Sequence, residues 1–161
     1  MLGPLCVSAE YPSMDWTQIH LAVNHIPVIG LPFLGLTLMV GWWRKSNELM
    51  RFALWSLVLM AGAAIAIKFT GDFAAEQSHD RFEVVRSLVN RHEETGDQVT
   101  TGVFILGLSS AFTLILARSG RPIRQWTVAT VSLLALVVAL LYLRTAHTGG
   151  QIRHPELRKT R

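Results

Sequence analysis

Residues His20–Trp43 read HLAVNHIPVIGLPFLGLTLMVGWW, a run without one Asp, Glu, Lys or Arg. A helix needs about 20 residues to cross a hydrocarbon core. In lipid, every backbone N–H and C=O has to be bonded within the segment, so this run is predicted to be a transmembrane helix. Three more runs meet the same requirement: Phe52–Thr70, Val99–Ala117 and Trp126–Leu143. The fold expected is all-α: an integral membrane, up-and-down four-helix bundle forming one domain over residues 1–161. The N-terminal stretch MLGPLCVSAEYPSMDW has neither a basic start nor a compact apolar centre, so it does not read as a cleaved signal.

Composition agrees. Half of the residues are hydrophobic, only 16% are charged, and mean hydropathy is +0.35, which excludes an ordinary soluble domain. Cys6 is the single cysteine, so no internal disulfide forms. A pI near 9.8 raises the question of nucleic acid. However, the basic residues sit in short clusters between apolar runs, and no aromatic-basic pattern accompanies them. Phosphate-binding loops, nucleotide fingerprints, haem-attachment cysteines and nucleophile motifs are all missing from the sequence.

The clusters set an expected orientation. Arg44, Lys45 and Arg51 lie in the first loop, and Arg118, Arg121 and Arg124 in the third, while residues 1–43 contain no Lys or Arg. The positive-inside rule then places both loops in the cytoplasm and both termini outside, in a bacterial inner membrane. On this reading residues 1–17, 71–97 and 147–161 are an outer tail, an outer loop and a second outer tail. The C-terminal Arg158, Lys159 and Arg161 run against the rule. Within the outer loop, Phe82, Val85, Leu88 and Val89 form one stripe of Asp80–Arg91, predicting a short amphipathic helix across the bundle mouth.

With four spans, all six histidines fall at the same face of the bilayer: His20, His25, His79, His92, His147 and His154. Imidazole is a frequent ligand of haem iron and other transition metals, and helix bundles hold cofactors between inward-pointing side chains. At about 1.5 Å per residue, His25 stands about 28 Å from Arg44, His147 about 35 Å from Arg124 and His92 about 39 Å from Arg118. His25 is therefore the deepest histidine of the first helix. His20 and His25, five residues apart, point about 140° apart, so one ligand plane does not use both. His92 heads a stripe of mostly small residues, Gly96, Thr100, Val103, Gly107 and Ser110. That stripe reads either as close helix packing or, near Gly96 and Thr100, as a cleft for a flat macrocycle. Gly149 and Gly150 are expected to turn the chain back after the fourth helix and carry His154 toward His147. Lys68 and Asp72 are four apart, as an ion pair would be, and Glu93 and Glu94 are either imidazole-orienting carboxylates or simply solvated.

Four short motifs occur in order along the chain: IHLAVNHIP, FTGDFA, NRHEE and GGQIRH. Together they resemble the bacterial four-helix membrane proteins catalogued as domain of unknown function 2231, over nearly all of the chain past Trp16. The resemblance implies a compact four-helix membrane domain of the kind found with electron-transfer or cytochrome modules, and it matches His20 or His25, His92 and His154 to the family's histidines. The ending PELRKTR departs from the longer hydrophobic and glycine-containing continuation typical of that family.

The resulting expectation is a small b-type cytochrome subunit. Its haem b iron is ligated by His25 and His92, and His147, His154 and His20 are available for a second site. Electrons would pass between quinol and a membrane or periplasmic partner, with quinone as a further cofactor. Two alternatives stay open: a non-catalytic anchor or assembly subunit, and a copper or zinc site in the same histidine layer.

Overall fold

The computed structural model describes residues 15–79, 86–118, 120–154 and 156. It consists of four long helices, α1 (Trp16–Trp43), α2 (Asn47–His79), α3 (Arg86–Leu116) and α4 (Gln125–Arg153). Each contains a stretch long and apolar enough to cross a membrane. Chain neighbours pack side by side, and α1 also packs against α4, whereas the diagonal pairs α1/α3 and α2/α4 make no backbone contact among the described residues. The chain is thus an all-α, four-helix membrane bundle with its helices in a square.

The helices outrun the apolar runs that announce them. Hydropathy marks only the hydrocarbon crossing, whereas intrahelical hydrogen bonding continues into the interface until a cap or turn ends it. The expected outer loop 71–97 is mostly helix: α2 reaches His79 and α3 begins at Arg86. Of the segment expected as a separate outer helix, residues 80–85 lie outside the described residues, and Arg86–Arg91 are the first turns of α3. At the start of α1, Asp15 Oδ1 accepts from the Thr17 and Gln18 N–H groups. Trp16 stacks on Phe73 of α2 at 4.9 Å and donates its N–H to Gln77. At the opposite end, the Arg51 guanidinium donates to the Ala117 and Arg121 carbonyls and so closes α3.

The exterior is apolar. Ile29, Phe33, Leu59, Leu108 and Leu133 are each more than 60% exposed, a belt that would drive association in water and that lipid requires. Lipid tails are as apolar as leucine, so close packing rather than hydrophobic burial holds the helices together. Among the described glycines the tightest approach is between α2 and α3, where a Cβ at Gly107 would collide with Ala61 Cβ. Buried Ser110 and Thr113 keep their hydroxyls bonded to the carbonyls of Leu106 and Ser109 on their own helix.

The two helical hairpins repeat one another. Positions of α1 and α3 that are 72 residues apart correspond: His20 with His92, Gly30 with Gly102, Gly35 with Gly107. Gly30 packs on Met60, and Gly102 on Val138; Gly35 packs on Ala135, and Gly107 beside Leu57. Those partners, Met60 with Val138 and Leu57 with Ala135, are themselves 78 residues apart on α2 and α4. The contacts relate α1–α2 to α3–α4 as by a two-fold axis along the bundle, an arrangement known from membrane proteins built of parallel repeats.

Candidate functional site

The inward stripe of α1 runs Gly41, Leu38, Leu34, Leu31, Pro27, and the same spacing reaches His20. That of α3 runs Thr113, Ser110, Leu106, Val103, Val99 and reaches His92. Rotation about the helix axis thus turns both imidazoles inward, at the same level, on diagonal helices. Both rings are half-buried, and they lie within electrostatic reach of one another.

Each ring is held by the next helix in the chain. His20 Nδ1 stands 3.1 Å from Thr70 Oγ1 of α2, and the Thr70 hydroxyl donates to the Ile67 carbonyl at 2.7 Å. His92 Nδ1 stands 3.2 Å from both Thr148 Oγ1 and the Thr145 carbonyl of α4, and the Thr148 hydroxyl donates to that carbonyl at 2.9 Å. Thr95, donating to the His92 carbonyl, packs against Thr148 at 3.4 Å. Beside each threonine is a glycine under the ring. A Cβ at Gly71 would lie 3.0 Å from His20 Cε1, and one at Gly149 would lie 3.0 Å from His92 Cε1. One turn along α3 from His92, a Cβ at Gly96 would have no neighbour within 4 Å, so unfilled space adjoins this turn.

The other histidines are placed differently. His25, expected to pair with His92, is exposed on the lipid-facing side beside Leu21, Ile26 and Ile29, with its Nδ1 on the Leu21 carbonyl of its own helix. His25 is the deeper of the two along α1, but angle about the helix axis decides: with His20 inward, a residue about 140° away faces out. His147 is exposed and contacts Gln151. His154 caps α4, is exposed, and bonds Glu156 at 2.9 Å. His79 ends α2. The Gly149–Gly150 pair does not turn the chain, since α4 runs through it to Arg153. Gly149 is small because the His92 ring occupies the space of its side chain. Glu93 and Glu94 are exposed, and the groups at His92 Nδ1 are threonines instead. Lys68 contacts Asp72 at 3.6 Å, as its spacing indicates, and Asp97 of α3 more closely, at 2.7 Å.

Thr70, Gly71, Thr148 and Gly149 carry no signal as isolated residues. Thr-Gly also occurs at Thr95–Gly96 and Thr101–Gly102. The 72-residue repeat of His20 and His92, combined with the 78-residue repeat of Thr70–Gly71 and Thr148–Gly149, marks them as a set.

Among the described residues, no group of three or more His, Cys, Asp or Glu side chains converges as metal ligands would. A recess of about 360 Å³ lined by Ile115, Leu116, Arg118 and Arg121 is at the basic end of the bundle, away from the histidine pair. Comparison with protein-family models, curated proteins and solved structures finds no match to this chain.

Proposed function

We propose that the chain is an electron-transfer subunit of a bacterial inner membrane, with His20 and His92 as the ligands of a b-type haem. The observation that carries this reading is a pair of inward imidazoles on diagonal helices, each fixed at Nδ1 by the neighbouring helix. A closed zinc site takes four ligands. A haem iron asks only two of the protein, because the macrocycle supplies the rest, and two imidazoles turn inward here. The donor set therefore fits haem better than a small ion. When bound, haem supplies reversible one-electron chemistry. The chain's own contribution is to hold both rings in fixed orientation and to leave each Nε2 for a ligand.

The four motifs behind the resemblance to domain of unknown function 2231 contain His20, Thr70–Gly71, His92 and Gly149. That resemblance and the geometry therefore meet at the same residues, and family membership is kept as part of this reading. With Arg44, Lys45, Arg51, Arg118, Arg121 and Arg124 in the cytoplasm, the histidine pair faces the outer side. Quinol in the bilayer is then the donor and a periplasmic or membrane protein the acceptor. A non-catalytic anchor is the second reading, favoured by one fact: each imidazole also ties two neighbouring helices together. Purification from haem-replete cells, followed by a visible spectrum and an iron assay, separates the two. The cytochrome reading expects a Soret band and stoichiometric iron. Absence of both leaves the anchor.

A further inference from the structure

From the paired hydrogen bonds we infer that Thr70 and Thr148 are positioning residues that fix the tautomer of His20 and His92, so that both rings present an unprotonated Nε2 to a metal ligand. The inference rests on the haem reading for its purpose but not for its chemistry. A threonine hydroxyl has one proton to donate. Thr70 gives it to the Ile67 carbonyl and Thr148 to the Thr145 carbonyl. Each oxygen then faces its histidine only as an acceptor, and Nδ1 has to be the protonated nitrogen. The carbonyl beside each ring enforces the same choice, because it can only accept: Thr145 at 3.2 Å from His92 Nδ1, and Ile67 beside His20. A neutral imidazole protonated at Nδ1 carries its lone pair at Nε2. Metal-bound histidines are oriented in this way by the partner on their other nitrogen.

The repeat makes the inference stronger than either site alone. In each half the histidine, the threonine that bonds it, the carbonyl three residues earlier and the glycine beneath the ring occupy equivalent positions. Thr70 and Thr148 each bond the carbonyl three residues earlier, which is the carbonyl beside the imidazole.

The test uses the full chain, labelled with 15N-histidine, in lipid nanodiscs at a pH where imidazole is neutral. The haem-free protein reports the tautomer through its ring-nitrogen shifts, and the haem-replete protein reports the Soret band and midpoint potential. Wild type is expected to hold both rings as the Nδ1–H form. Thr70→Val removes the hydroxyl at nearly constant volume and should shift the His20 tautomer ratio by about 5-fold, the effect of one hydrogen bond, leaving His92 unchanged. Thr148→Val should do the reverse, and Thr70→Ser and Thr148→Ser should restore the wild-type ratio. In the haem-replete protein, either valine variant should keep the Soret band with an altered midpoint potential. If the valine variants leave both tautomer ratios unchanged, or the serine variants behave like them, the inference is overturned even with haem bound. If the ratios respond but wild type binds no haem, the positioning role stands and the haem reading falls.

Discussion

The imidazole of His92 lies on Gly149, so close that a Cβ added there would stand 3.0 Å from the ring's Cε1. The glycine that looks like a helix terminator is a seat for a side chain from another helix. Gly149→Ala should therefore lower stability or displace the ring, at a cost of about 1–3 kcal/mol, the usual range for overpacking. Gly96→Ala, with open space around its new methyl, should be neutral or gain about 0.5–1 kcal/mol of helix propensity. Thermal unfolding in one detergent compares the two. Equal midpoints for both variants would refute the seating of His92.

Replacing each histidine by alanine sorts the site from the surface. His20→Ala and His92→Ala should abolish or shift the Soret band of the haem-replete protein. His25→Ala, His147→Ala and His154→Ala should leave it, because those rings face lipid or solvent. A spectrum lost in the His25 variant and kept in the His20 variant would reverse the assignment.

The contact between Gly107 and Ala61 sets the spacing of α2 and α3. Gly107→Ala should destabilise the bundle by about 1–3 kcal/mol. Ala61→Gly in the same chain should recover part of that loss, since touching residues are not additive. A double-mutant cycle read by unfolding midpoints checks the coupling; strict additivity would show that the helices do not meet there.

Orientation follows from the basic loops. In a Cys6→Ser background, Arg121→Cys should react with an impermeant maleimide only after the cytoplasmic side is opened. Labelling of intact spheroplasts from the outer side would invert the topology and put the histidine pair at the cytoplasmic face.

Lys68 bridges Asp72 and Asp97, but its side chain is 44% exposed. Lys68→Met should cost at most about 1 kcal/mol, as exposed ion pairs do. A larger loss would give Lys68 a role at the site that its exposure does not predict.

Much of the architecture was legible along the chain. A long run of apolar residues has one way to satisfy its backbone in lipid, so His20–Trp43 and its three counterparts dictate helices and their number. The gathering of six histidines at one end follows from counting spans. Helix ends are less legible: past the hydrocarbon boundary, hydropathy falls while hydrogen bonding continues, so hydropathy stops at Thr70 and Val99 although the helices run on to His79 and back to Arg86.

Depth could be counted in the sequence; facing could not. His25 and His20 differ by about 140° about one axis, and only the packing of α1 against α2 and α4 decides which of them looks inward. It chose His20, because Thr70 and Gly71 of α2 provide an acceptor and a space for the ring. Gly149 reads as a turn when taken with its neighbours in sequence and as a seat for His92 when taken with its neighbours in space. Helix number and the layer of the histidines follow from the order of residues alone. Which two histidines turn inward follows from packing, since each ring's partner belongs to another helix, 50 or 56 residues away.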